Sequence, residues 1–348
     1  MKQKVLIVHH SGQIGGAGRS MLVLTDTLVK MGASVVVACP EFPVDMSRLA
    51  KKRCKVLNFS SDIALFPYYS GGASLFSIAT LKNLFKFPKF KNEITSLVTL
   101  ESPDIIIINS MTLSYLGKYI KRQDNRIICF VRETVNKNSK YINMMIDHWL
   151  DHFDFIAFLS KFDLRSHDIN RASTKVIPNA YLDKVKSGVI KSKAKSALGF
   201  KATDKIVVYL GGFSRLKGIG TLYQAVNNFE KNGEKDIKFL IVGQLPVKIH
   251  LTFKSILTLS PLVTFLKNLY YNYIYFKFIS LHESKLVQVT GLVEDVGSAL
   301  LASDVLIFPV TKEHQGRPIF EAGFYKLPVI VPKFECFNEY VNDRSGDF

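Results

Sequence analysis

The sequence is short of acid, of cysteine and of long apolar runs, and each shortage removes a class of protein. The four cysteines, Cys39, Cys54, Cys129 and Cys336, are widely separated among 348 residues. Cys39 and Cys129 lie in apolar runs that read as buried strands, so neither a disulfide framework nor structural zinc is expected, and a reducing compartment is favoured. No uncharged apolar window reaches the ~18 residues needed to span a bilayer. The nearest, Ser255 to Leu266, is interrupted by Pro261 and stopped by Lys267. The N-terminus, MKQKVLIVHHSG, has an apolar core too short for a signal peptide's h-region of roughly 7–15 residues and reads as a first buried strand. No stretch repeats at a period of about 20–50 residues, which excludes a solenoid. A soluble or peripheral protein is expected.

Acidic side chains number 29 against 46 Lys and Arg, a net charge of +17. The excess is lopsided. Residues 1–200 hold 29 basic and 15 acidic side chains, and residues 201–348 hold 17 and 14. Such a surface suits nucleic acid, an anionic lipid or a phosphorylated small molecule. No helix-turn-helix, zinc finger or RNP sequence accompanies the charge, so nucleic acid is not an expected partner. With 47% hydrophobic and 22% charged residues the chain has ordinary globular composition, and its length suits about two domains.

Short apolar runs alternate with helical patterns, the mark of a parallel sheet covered by helices. Strands are expected at Val5–Val8, Ser34–Ala38, Ile105–Ile108, Ile127–Val131 and Phe155–Leu159. A Lys- and Ser-rich stretch follows VIPNAY (Val176–Tyr181) and sets a boundary between domains 1–179 and 180–348. The second half restarts the pattern with strands at Lys205–Leu210, Ile237–Val242, Leu286–Val289, Asp304–Phe308 and Val329–Val331, and a helix from Ile219. Two Rossmann-like domains in tandem follow. Leu75–Ile94 and Leu245–Lys285 do not fit a minimal version of that layout.

Three strand-end loops could carry chemistry. SGQIGGAGRS offers Gly12, Gly15, Gly16 and Gly18 before a helix expected near Ser20, and a helix N-terminus suits phosphate. As a dinucleotide fingerprint it is poor, because Met21 stands where the third glycine belongs, which weakens a nicotinamide-dependent oxidoreductase. LGGFSRLKG sets Arg215 and Lys217 beside a second helix N-terminus, where they could neutralise a diphosphate. EHQGRPIFEAG puts Glu313 in a loop and Glu321 on the first turns of the next helix, with Gly316 between and Pro318 suited to the first turn. Carboxylates are good acceptors for sugar and ribose hydroxyls. Taken singly, each reads equally as a tight turn, a solvated cation or a helix-terminal acid.

The ordered set GGAGRSMLVL, VIPNAY, VVYLGGFSRLKG, VQVTGLVEDV, SDVLIFPVTKEHQGRPIFEAG and LPVIVP resembles the retaining glycosyltransferases of family 4. The resemblance implies an α/β GT-B fold, two Rossmann-like domains facing each other across a cleft. The N-terminal domain would take the acceptor and the C-terminal one a nucleotide-diphosphate sugar. It implies that Glu321 holds the ribose hydroxyls, that Glu313 and the Gly316 amide hold the donor sugar with Arg317 beside them, and that Lys217 meets the diphosphate. Gly16 would approach the same diphosphate. Glu313 and Lys217 are the catalytic candidates, and no cofactor is implied.

The sequence departs from the family pattern in four places. Gly18 replaces the acid of the usual GGAE. The phosphate-binding arginine falls on Gly212, with Arg215 as the substitute. Arg132 and Glu133 of FVRET stand where an acceptor-side histidine is common. The chain stops at Phe348, soon after Val329–Val331, where the family adds further C-terminal elements, so these are expected to be missing. A non-catalytic glycosyltransferase-like scaffold is the alternative reading.

No Asp-x-Asp occurs anywhere, so a metal clamp has no candidate and metal-independent transfer is expected. The acceptor is expected to be lipid-linked or a polysaccharide, handled at the cytoplasmic face of the membrane in cell-surface polysaccharide synthesis. Leu75–Lys91 pairs four lysines with four phenylalanines and no acid, with Lys82, Lys86 and Lys89 at helical spacing, and reads as a peripheral contact with an anionic membrane or as a half-buried flank helix. Leu245–Lys285 is rich in tyrosine, which favours lipid–water interfaces, and reads equally as a packed helical hairpin.

Overall fold

The computed structural model describes residues 2–12, 16–41, 54–72, 78–120, 124–136, 138–179, 190–233, 236–246, 259–282, 286–293 and 296–342. Gly15, residues 75–77, most of 245–258 and residues 343–348 therefore lie outside the described residues. The chain divides into two compact units, Met1–Ala180 and Tyr181–Phe348.

Seven parallel strands form the sheet of the first unit: β1 (Lys4–Val8), β2 (Ser34–Cys39), β3 (Lys55–Asn58), β4 (Ile105–Ile108), β5 (Arg126–Val131), β6 (Phe155–Phe158) and β7 (Ser173–Val176). Their order is β3-β2-β1-β4-β5-β6-β7. Val5 pairs with Val35 on one side and Ile105 on the other, so β1 and β4 flank the point where the winding reverses. The inner strands are continuous hydrophobic runs because helices cover both faces. Leu6, Val8, Ile106, Ile108 and Cys129 turn to one core with Phe90, Ile94, Leu116 and Ile146. Val5, Ile7, Val35, Val37 and Ile107 turn to the other with Met21 of α1 (Gly16–Lys30).

Helix α2 (Ile78–Glu101) is the crossover from β3 back to β4. This corrects the expectation that Leu75–Ile94 stands outside a Rossmann layout. Phe90, Ile94 and Val98 face the core, while Leu81, Leu84 and Phe85 are exposed, Phe85 at 87%. Pro88 sits inside the helix on its solvent side. At the helix end, the buried Glu101 pairs with Lys4 at 2.9 Å and Lys55 at 2.6 Å, and these contacts hold its carboxyl below the usual range. Helices α3 (Lys140–Leu150) and α4 (Lys161–Arg165) complete the unit, with a 3₁₀ segment at Met111–Lys118 after β4.

The second unit repeats the plan with five parallel strands, β8 (Lys205–Leu210), β9 (Ile237–Val242), β10 (Val287–Gly291), β11 (Val305–Ile307) and β12 (Val329–Ile330), ordered β10-β9-β8-β11-β12. Here β8 and β11 flank the reversal. Around it lie α5 (Lys191–Ala197), α6 (Ile219–Lys231), α7 (Leu259–His282), α8 (Gly297–Ala302) and α9 (Arg317–Phe324). Ile206, Val208 and Leu240 face a core with Leu300 and Ala322. Tyr209, Phe239 and Ile241 face another with Ile219, Leu222, Ile274 and Phe278. Leu245–Lys285 is thus the β9-to-β10 crossover; its described part includes a helix of 24 residues, and residues 247–258 and 283–285 lie outside the described residues.

The two faces of α7 generate a prediction. Phe278 is fully buried and Phe276 is 67% exposed. Phe278→Ala is expected to lower the unfolding free energy by about 3–5 kcal/mol through the cavity it leaves. Phe276→Ala is expected to stay within about 0.5 kcal/mol. Urea unfolding of both variants checks this, and equal effects would contradict the packing.

Candidate functional site

In a doubly wound sheet, ligands are held by loops at the carboxyl ends of strands where the winding reverses. Each unit has one such place, and the sequence candidates fall around them.

In the second unit, β8 runs into Gly211-Gly212-Phe213-Ser214-Arg215-Leu216-Lys217-Gly218 before α6. Gly212 has φ +60°, and a Cβ there would lie 2.7 Å from the Gln244 main-chain nitrogen. Gly218 caps α6 in the left-handed region at φ +79°, and a Cβ would meet the Pro309 carbonyl oxygen at 1.8 Å. Only glycine allows that approach. The loop after β11 is clipped to this one: Thr311 N–H donates to the Leu216 carbonyl at 3.0 Å and its hydroxyl to the Arg215 carbonyl at 3.2 Å.

Lys217 and the Glu313 loop are thereby brought together. The Lys217 ammonium meets Nε2 of His314 and lies 5.2 Å from the centre of the Phe308 ring, against which the His314 ring stacks. No carboxylate pairs with it among the described residues. Burial pulls the Lys217 pKa down to about 8. Burial, aided by the lysine charge, pulls His314 down to about 3, so at neutral pH the imidazole is uncharged and offers a lone pair to the ammonium. Arg215 is exposed, and its main-chain N–H donates to the Tyr271 hydroxyl at 3.1 Å.

Gly316 is the N-cap of α9, with Pro318 in the first turn. A Cβ at Gly316 would press on Phe308 and Ile319, at 2.9 and 2.7 Å. One turn on, Glu321 is 4% exposed and its Oε1 accepts from Arg317 Nε at 2.7 Å. The i,i+4 spacing thus joins Arg317 to Glu321, so Arg317 acts on the candidate carboxylate. Glu313 is half-buried in the same loop.

In the first unit, α1 begins at Gly16, four residues before the expected Ser20, so Gly16 and Gly18 belong to the first turn and not to a loop. Gly12 answers a different need, because a Cβ there would lie 2.1 Å from the Glu41 carbonyl oxygen. Arg132 and Glu133 follow β5. Glu133 accepts from the Ser110 hydroxyl and, at 2.8 Å, from Met111 N–H, so it caps the 3₁₀ segment after β4. Arg132 donates through Nε to Asn109 Oδ1 at 2.6 Å and through Nη1 to Asn179 Oδ1 at 2.7 Å.

With its oxygen turned to Arg132, Asn109 presents its amide NH₂ to His9 Nδ1 at 3.0 Å. That nitrogen must accept, which puts the His9 proton on Nε2. Burial keeps both His9 and His10 below the usual histidine range. His10 hydrogen-bonds the Asn109 main chain. His9 Nε2 and His10 Nδ1 are buried and meet no partner among the described residues. His9, His10, Asn109 and His314 were not singled out by the sequence. A histidine pair directly after the first strand is the signal that could have found the first two.

Residues 190–346 match the family model described as glycosyl transferases group 1. No curated protein matches the sequence. Among solved structures, HepE of Anabaena in complex with UDP and glucose aligns with TM-score 0.69 and 17% identity, covering 98% of this chain and 83% of that one. Sucrose-phosphate synthase of Thermosynechococcus elongatus aligns with TM-score 0.68 and 17% identity over 95% and 81%. WaaG, a glycosyltransferase involved in lipopolysaccharide biosynthesis, aligns with TM-score 0.61 and 13% identity over 94% and 80%. At these identities the likeness establishes the fold, the α/β GT-B class with parallel sheets. The match to the group 1 model lies within the second unit.

The close approach at Gly218 can be tested without substrate. Gly218→Ala adds a clash with Pro309 to a strained φ, and is expected to cost about 1–3 kcal/mol of stability. An unchanged urea midpoint would mean that the two loops are not clipped as described.

Proposed function

We propose that the chain is a retaining, metal-independent glycosyltransferase that moves a sugar from a nucleotide-diphosphate donor to a lipid-linked or polysaccharide acceptor. The observation that carries the reading is Lys217 with Glu321 at the β8/β11 reversal, within a segment that matches the group 1 model. UDP and glucose in the HepE structure support the donor class, and the role in lipopolysaccharide biosynthesis given for WaaG supports cell-surface polysaccharide synthesis.

In this reading the sugar–phosphate bond breaks and negative charge develops on the leaving diphosphate. The half-buried Lys217 ammonium neutralises it, with the exposed Arg215 as a second cation. Within the first unit, Gly16 in the first turn of α1 offers a helix N-terminus suited to phosphate. Glu321, held by Arg317, accepts from the ribose hydroxyls, and Glu313 with the Gly316 amide binds the donor sugar. The acceptor oxygen bonds to the anomeric carbon from the leaving-group face, and its proton passes to a phosphate oxygen.

Arg132 lies on the acceptor side, positioned by Asn109 and Asn179, and Glu133 acts there by fixing the 3₁₀ segment. His9 Nε2–H and His10 Nδ1 offer the donor and acceptor that a hydroxyl requires. The exposed Leu81, Leu84 and Phe85 of α2, with Lys82 and Lys89, make the peripheral membrane contact. Lys86 pairs instead with Asp62 at 3.2 Å, and Lys91 lies 5.1 Å from the centre of the Tyr119 ring, so two of the four lysines serve the unit itself.

Calorimetry with uridine and guanosine diphosphates, in buffer containing EDTA, tests the donor and metal assignments together. Binding of one of the two is expected. Binding of neither, with or without magnesium, would overturn the reading.

Lys217 supplies a second test. Its charge is present below a pKa of about 8 and lost above it, so diphosphate affinity of the free protein should fall as pH rises through that value. Lys217→Ala should abolish this dependence and reduce turnover by about 100-fold. An unchanged pH profile in the variant would mean that another group holds the diphosphate.

A further inference from the structure

Helix α7 has two apolar faces. Ile274, Phe278 and Leu281 lie in the core of the second unit. Leu266, Leu269, Tyr270, Tyr273 and Phe276 recur at intervals of three and four and are all exposed. A helix that covers a sheet needs only the first stripe and normally turns a polar one outward. Scattered apolar side chains on a surface need no explanation, whereas five along one face mark an interaction surface.

Charge identifies what covers it. From Gly243 to His282 the sequence has no Asp or Glu and contains Lys248, Lys254, Lys267 and Lys277. Lys277 is exposed within the stripe, one turn after Tyr273, its Nζ 5.5 Å from the centre of that ring. Among the described residues of α7 the face carries the cation Lys277 and no carboxylate, so a second copy placed on it by a two-fold axis would meet no opposite charge on this helix. An anionic lipid surface supplies opposite charge and an apolar layer at once, and the tyrosine hydroxyls suit the boundary between headgroups and acyl chains. No helix among the described residues is long and apolar enough to cross a membrane, so α7 would lie along the interface.

We propose that the outer face of α7 docks on an anionic lipid surface, as a contact of the second unit separate from that of α2. The docked helix is joined to the candidate site through the Tyr271 hydroxyl, which accepts from Arg215 N–H. The proposal does not depend on the glycosyltransferase reading, since vesicle binding is read without donor or acceptor.

The test uses the full chain with vesicles of phosphatidylglycerol and phosphatidylcholine. Leu269→Glu, Tyr273→Glu and Phe276→Glu together should lower the partition coefficient onto anionic vesicles by at least about tenfold, because three apolar side chains leave the interface and three negative charges approach it. Circular dichroism and the melting temperature should stay at parental values, since all three positions are exposed. Separately, Phe276→Trp should give a blue-shifted emission on anionic vesicles. The parent, whose single tryptophan Trp149 packs against the first core, serves as the blank. That shift should persist when Lys82 and Lys89 are changed to Glu. Sedimentation of the triple variant equal to the parent's, an emission of the Phe276→Trp variant that vesicles leave unmoved, or a concentration-dependent parental dimer that the triple variant makes monomeric would each overturn the proposal.

Discussion

A cation held in a half-buried place, with no carboxylate paired to it among the described residues, is the constraint around which the second unit is arranged. The Lys217 ammonium rests on the face of Phe308 and the lone pair of His314, and neither carries a compensating charge. Holding it there needs a fixed loop. Gly218 allows the chain to pass against Pro309, and Thr311 ties the two strand-end loops through Leu216 and Arg215. The parallel sheet supplies the reason that both loops share one end, because crossover helices return every strand in the same direction. A bound anion would favour the charged lysine and so gain most of its affinity where the free protein is least comfortable.

How much of this was legible depended on burial. Strands buried on both faces announced themselves, and Ile105–Ile108 and Lys205–Leu210 stand where their apolar runs placed them. The edge strands β3, KVLN, and β7, STKV, were missed because an edge strand is half exposed and carries no such run. The two long crossover helices were taken for additions to the layout for the opposite reason. They are apolar on more than one face, so the 3.6-residue period that marks an amphipathic helix was blurred. In α2 the helix runs through Pro88, which lies at an exposed position.

Site residues divided along similar lines. The places of Lys217, Glu313, Gly316 and Glu321 in strand-end loops and a helix could be read because strand, loop and helix boundaries are marked by glycine and proline. The partners that determine their state could not. His314 reads as one more polar residue beside an acid, and only the clip between loops puts it on Lys217. The spacing of Arg317 and Glu321 was visible in the sequence, yet each was assigned to the ligand before the ion pair between them was considered. For Glu133 the sequence did not show that its oxygens accept from Ser110 and Met111, which follow the neighbouring strand β4 and are its neighbours only through the sheet.

The positive charge and the apolar excess bear on the same physical point. A crossover helix has one obligation to its own unit, to cover one face of a sheet, and in both α2 and α7 that obligation is met by a single stripe. Exposed Leu and Phe beyond that stripe cost solubility and return nothing to the fold, so stability does not account for them. Nor does charge accumulate beside them by the demands of packing alone: Lys86 and Lys91 have partners inside the first unit, while Lys82 and Lys89 flank the α2 stripe and Lys277 lies over Tyr273 within the α7 stripe. A surface that combines apolar side chains with basic ones has the profile of an anionic bilayer in reverse, with carbon opposite acyl chain and ammonium opposite phosphate. That complementarity is what distinguishes a lipid contact from the self-association that an apolar stripe alone would invite.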